Sequence, residues 1–224
     1  MRHAFFLILL LGAWLGAADQ PAADPQPVEV TAGVPAGAGW TKLLVNGSSS
    51  AGWVGEPGIW RVEGDVFTGE VVNASNLHHH AYTEAEYSDF ELTCETRLVS
   101  GKDPNSGICI RMLPEFHPGV GYQVDTGAGY WGCLYEVGSR NKKVAPVSKE
   151  LELKLVKQGD WNAFYVRAVG HHIQIWLNGT KTVDIDDQPG RLTGRIGFQL
   201  AHNRVMAASF RNLYIRPIEV QPKP

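Results

Sequence analysis

The sequence predicts an all-β domain built as a two-sheet antiparallel β-sandwich. Three observations predict it: strand-like runs recur along the chain, helical periodicity is nearly absent, and turn signals separate the runs. The stretch Asp89 to Asp125 shows the pattern most plainly. Phe90, Leu92, Cys94, Thr96 and Leu98 alternate with Glu91, Thr93, Glu95 and Arg97. Ile108, Ile110 and Met112 alternate with Gly107, Cys109 and Arg111, and Tyr122 and Val124 with Gln123 and Asp125. A period of two puts one face of a strand in a core and frees the other. If the three strands share a sheet, Glu95, Arg97, Arg111, Gln123 and Asp125 all project from its non-core face. A polar, charged cluster on such a floor is where a ligand is expected.

In chain order, the first element is not part of the sandwich. Met1-Arg2-His3 is a short basic start, Ala4 to Leu15 is apolar, and Gly16-Ala17-Ala18 supplies small residues. This is the pattern of a signal peptide, residues 1–18, cleaved after Ala18. The apolar run is shorter than the ~20 residues a spanning helix needs. Export to the periplasm or medium follows, with no membrane attachment after cleavage. Residues 19–38, rich in Pro, Ala and Gly, are expected to be a mobile linker. The sandwich spans 39–218, and 219–224 is a loose tail.

Strands are placed near 40–45, 59–63, 65–69, 77–82, 89–99, 106–112, 120–125 and 131–136. Others follow near 161–169, 172–177, 181–185, 194–200 and 205–216. Glu63-Gly64-Asp65 and Val169-Gly170-His171 join neighbouring strands. Asn178-Gly179 is the strongest turn, because both residues tolerate positive φ. Ser139 to Lys157 is ambiguous: Leu151, Leu153 and Leu155 alternate like a strand, yet Lys and Glu keep the segment helix-compatible.

Charged residues are 19% and net charge is −3, with no basic face, which argues against a nucleic-acid partner. Alternation puts Cys94 in the core and Cys109 on the free face, with Cys133 near it. A Cys109–Cys133 bridge and buried thiols both remain open.

The motifs LVNG (44–47), GW (52–53), WRVEG (60–64), DFELTCETR (89–97), NSGICIR (105–111) and GYQV (121–124) come in one order. GCLYE (132–136), WN (161–162), WLNG (176–179), GRIGFQLAH (194–202) and FRNLYIRPI (210–218) complete it. This ordered set resembles the 3-keto-disaccharide hydrolase family of exported bacterial proteins. The resemblance covers nearly all of 39–218. It implies a concanavalin-like lectin/glucanase jelly roll and a carbohydrate partner, a keto-sugar glycoside. The chain departs from the family's pattern at Gln123, usually acidic, at Asp125, usually an amide, and in the loop LPEFHPG after Met112. The E-x-D-x-x-E run of the fold's glucanases is absent.

The activity implied is cleavage of 3-keto-glycosides by elimination then hydration, a net hydrolysis. A non-catalytic carbohydrate-binding module of the same fold is the alternative. His202, just past the strand 195–200, is the expected base, with Asp125 or Glu95 as rivals. Arg111 would polarise the ketone, helped by Arg97 or a divalent metal. Gln123, Gln199 and Tyr135 would bind hydroxyls, and Tyr130-Trp131, following the Gly-rich turn DTGAG (125–129), would flank the sugar, with Trp131 as its platform. No cofactor is certain; a divalent metal is the one candidate, and His78 and His80 could begin its site, since alternate residues of a strand share a face.

Overall fold

The structure, a computed structural model, describes residues 25–31, 34–44, 52–113 and 119–219. The expected signal peptide, the loop residues 114–118 and nearly all of the expected tail lie outside the described residues. Within the expected linker, strands β1 (Val30–Thr31) and β2 (Val34–Pro35) pair as a small ribbon.

The sandwich begins with β3 (Thr41–Lys42), β4 (Trp53–Gly55), β5 (Trp60–Glu63), β6 (Val66–Val71) and β7 (His79–Tyr87). It continues with β8 (Phe90–Gly101), β9 (Asn105–Leu113), β10 (Val120–Gly127), β11 (Leu134–Val137) and β12 (Lys142–Ala145). After helix α1 (Lys149–Leu155) come β13 (Asn162–Val169), β14 (His172–Leu177), β15 (Thr180–Asp186), β16 (Gly194–Leu200) and β17 (Met206–Pro217). One sheet has seven strands in the order β12-β11-β10-β9-β16-β7-β4. The other has eight, β15-β14-β13-β8-β17-β6-β5 with β3 beside β17. All pairings are antiparallel, and the inward faces meet in one core. Phe198 of one sheet stacks on Phe210 of the other at 3.8 Å between ring centroids, and Trp53 stacks on Phe198 at 5.2 Å.

The ambiguous segment resolves into β12 and α1. Ser148 caps the helix by accepting from the Leu151 N–H, and Glu150 and Glu152 place acid in its first turn. The expected turn at Asn178-Gly179 is present, with φ of 49° and 83°.

Two expectations about the floor are corrected. First, β8 lies in the eight-stranded sheet, whereas β9 and β10 lie in the seven-stranded one. Alternation fixes which residues of a strand share a face, but not which sheet the strand joins. Glu95 and Arg97 therefore point away from the opposite side of the sandwich. Second, β9 is interrupted at Arg111, which has φ 50°. The register of β9 with both β10 and β16 shifts there, as in a β-bulge. Met112 consequently joins Cys109 in a cluster outside the main core rather than Ile108 and Ile110 within it. Gly121 and Gly194 make room for the bulge. A Cβ on Gly194 would stand 2.4 Å from the Arg111 carbonyl carbon, and one on Gly121 2.7 Å from its oxygen.

Candidate active site

The outward face of the seven-stranded sheet carries a polar cleft of about 250 Å³. Strand β10 sends Gln123 and Asp125 into it, and β11 sends Tyr135. Gln199 comes from β16, His202 from the turn after it, and His78 from just before β7. Six of the residues expected from sequence thus converge, His78 among them as the candidate metal ligand.

A hydrogen-bonded chain crosses the cleft. Gln123 Nε2 donates to the Ser106 carbonyl at 3.2 Å and to Gln199 Oε1 at 3.0 Å. Gln199 Nε2 lies 2.8 Å from His78 Nδ1, and His78 Nε2 lies 2.8 Å from His202 Nδ1. The two rings meet edge to face at 4.4 Å. Gln123 can reach across because Gly107 lies between its strand and β16, and a Cβ there would stand 2.3 Å from Gln123 Nε2.

The cleft pushes two titrating groups in opposite directions. Asp125 is 5% exposed, and burial raises its carboxyl to about 7. The Asn105 amide, 3.1 Å from Oδ1, opposes that rise, as do the Thr126 N–H, Lys143 and Gln123. Burial lowers His78 to about 4, reinforced by His202, Arg204 and His79. An acid that exchanges its proton near neutrality in the same cleft as a buried imidazole held neutral is equipment for proton transfer.

Other expected residues lie elsewhere. Arg111 is fully buried and does not line the cleft. Its guanidinium donates to the carbonyls of Ser88, Gly170 and Arg191 and to Asp89 Oδ1, tying three loops together. The bulge turns it off the floor that alternation assigned it. Glu95 pairs with Arg211 at 2.6 Å on the far sheet. Arg97 and Arg211 lie 4.8 and 4.2 Å from the Trp161 ring centroid. Trp131 is 4% exposed and belongs to the core, stacked on Phe164 at 6.3 Å. Its neighbour Tyr130 lines the cleft instead, with Lys143 Nζ 3.8 Å from its ring centroid. Glu152 of α1 holds this loop by accepting from the Gly129 N–H at 2.8 Å.

His80 stacks on Tyr82, its ring centroid 6.1 Å from that of His78. Both nitrogens of His78 are already engaged. Among the described residues no group of three or more His, Cys, Asp or Glu is placed to hold a metal ion. The expected pair therefore does not fit a metal.

Sequence reasoning missed Asn105, Asn141 and Arg204 as lining residues. Arg204 is pinned by the carbonyls of Asp103 at 2.7 Å and His202 at 3.2 Å, which orients it at the cleft. These three lie at strand ends and turns, where period-two alternation carries no signal.

The β-sandwich carries a polar cleft of amides, imidazoles and one buried carboxyl, and the family its sequence matches is one of carbohydrate-active domains. The chain belongs to the 3-keto-alpha-glucoside-1,2-lyase-like domain family, whose model matches residues 39–216. Among solved structures it is similar to carbohydrate binding module CBM66 from Bacillus subtilis, at a TM-score of 0.61 and 15% identity over 77% of this chain and 99% of that one. It is also similar to a provisionally named glycosyl hydrolase from Parabacteroides distasonis, at 0.58 and 22% over 80% and 99%. A Bacillus subtilis protein with a galectin-like fold matches at 0.53 and 12% over 73% and 88%. At these identities the likeness is one of fold. No curated protein matches the chain in sequence. No helix among the described residues is long and apolar enough to cross a membrane.

Proposed function

We propose that the cleft cleaves 3-keto-glycosides by elimination followed by hydration, in an exported protein processed after Ala18. The observation that carries this reading is the convergence of Asp125 and His202, with Gln123, Gln199 and Tyr135, on one cleft of a lyase-like family member. A ketone at C3 acidifies the proton on C2. One of the pair Asp125 and His202 removes it, and the other steadies the negative charge that develops on the ketone oxygen. The enolate re-forms the ketone as the C1–oxygen bond breaks and C1=C2 forms. The abstracted proton passes to the departing oxygen, and water then adds its hydroxyl to C1 and a proton to C2. The amides and Tyr135 hold the sugar hydroxyls.

The test supplies purified protein with a 3-keto-glucoside and with the same glucoside unoxidised. Release of the aglycone from the first alone is expected. Calorimetric binding of both sugars with no product from either would overturn the lyase reading and leave a carbohydrate-binding module.

A further inference from the structure

The hydrogen bonds across the cleft have a direction, and one backbone atom sets it. The Ser106 carbonyl can only accept, so the Gln123 atom 3.2 Å from it is the amide nitrogen. The same nitrogen faces Gln199 at 3.0 Å, so the Gln199 atom there is the oxygen. Gln199 must then turn its own NH2 to His78 Nδ1 at 2.8 Å. Nδ1 accepts, and the His78 ring is neutral because burial depresses its pKa. Its one proton therefore sits on Nε2 and is donated to His202 Nδ1 at 2.8 Å. With its Nδ1 accepting, the His202 ring carries its proton on Nε2. That nitrogen has no protein partner among the described residues, and His202 lines the cleft.

We propose that His202 presents an N–H donor to the cleft rather than a basic lone pair, and that Asp125 is the group that takes the substrate proton. The chemistry rests on reading the cleft as the lyase site, whereas the direction of the relay does not. In the elimination, the C2–H bond breaks and its proton goes to the Asp125 carboxylate. The electron pair forms C2=C3 and places the charge on the ketone oxygen, which accepts a hydrogen bond from His202 Nε2–H. His202 keeps its proton throughout. As C3=O re-forms, C1–O breaks and Asp125 returns the proton to the departing oxygen. Hydration runs the same steps backwards with water in place of the aglycone. Gln123, Gln199 and His78 are positioning residues: each acts through His202 by fixing which of its nitrogens carries hydrogen.

The relay makes its own reversal testable. In Gln123→Glu an ionised carboxylate has no N–H to donate. Gln199 would then turn its NH2 toward residue 123 and its oxygen toward His78. Both rings would move their protons to Nδ1, exposing the His202 Nε2 lone pair.

The test is long-range 1H–15N NMR of the 15N-labelled wild-type protein at pH 8 without sugar, with His202→Gln to assign the signals. An Nε2–H tautomer for both His78 and His202 is expected, and a shift of His202 to Nδ1–H in Gln123→Glu. An Nδ1–H or doubly protonated His202 in the wild type overturns the inference, even if Gln123→Glu fails to fold. On a 3-keto-glucoside, Asp125→Asn should lose on the order of 100-fold in kcat with KM little changed. Unchanged kcat would overturn the assignment of Asp125 as base. A wild type that shows the expected tautomer but forms no product would overturn the lyase reading and leave the relay standing.

Discussion

The Gln123 carboxamide lies directly over Gly107, in the volume that any other residue's Cβ would occupy. Gly107 pairs with Asp125 on one side and Gln199 on the other. A strand glycine here trades side-chain packing for a path by which one amide reaches the next. Gly107→Ala should therefore displace Gln123 and part the chain at its first link. The expected cost is about 1–3 kcal/mol in urea denaturation, as for other overpacked sites. Sugar affinity should fall with it, and a fully folded variant with wild-type affinity would contradict this placement.

Asp125 ties stability to pH, and the sign is unusual for a carboxyl. Its folded value, about 7, lies above the ordinary 3.8, so the folded protein holds a proton that the unfolded chain releases. The contribution is fully present below pH 4 and is lost as pH rises through 7. The groups facing it are Asn105, the Thr126 N–H, Lys143 and Gln123, all of which restrain the shift, with the Cys109 and Cys133 thiols nearby. Asp125→Asn should thus raise stability at pH 8, by on the order of 2–4 kcal/mol, and change little at pH 4. Thermal melts of both proteins at the two pH values check this. His78 works in the opposite sense. Its stabilisation is present above about 6.5 and is lost as pH falls through 4.

Arg111 should behave as a residue of the frame. Arg111→Met leaves three carbonyls and the Asp89 carboxylate without their shared donor. A loss of about 3–5 kcal/mol is expected, since one member of a buried charged network has been removed. Any loss of turnover should follow the unfolded fraction. A variant as stable as wild type yet inactive would restore the polarising role expected from the sequence.

Much of the site was legible because β10 and β16 are regular. Alternation alone put Gln123, Asp125 and Gln199 on the face opposite Tyr122, Val124, Phe198 and Leu200, and they meet there. Glu95 and Arg97 obey the same rule within β8, but long-range pairing decides that β8 crosses to the other sheet. Arg111 escaped because a bulge adds one residue to a strand without a local signature of its own. Its enabling glycines, Gly121 and Gly194, lie on two other strands. Trp131 looked like a sugar platform because its Gly-rich turn reads as exposed. Neighbouring residues there point opposite ways, and Tyr130 took the outward position.

The three cysteines are all free and buried, and burial raises each thiol's pKa, that of Cys133 to about 12. Such groups stay protonated and are poor nucleophiles toward oxidants or other disulfides. The sandwich therefore closes without a covalent cross-link and offers none for a reductant to break. Its maturation asks nothing of an oxidative folding machinery, and the folded domain should tolerate an oxidising or a reducing milieu equally well.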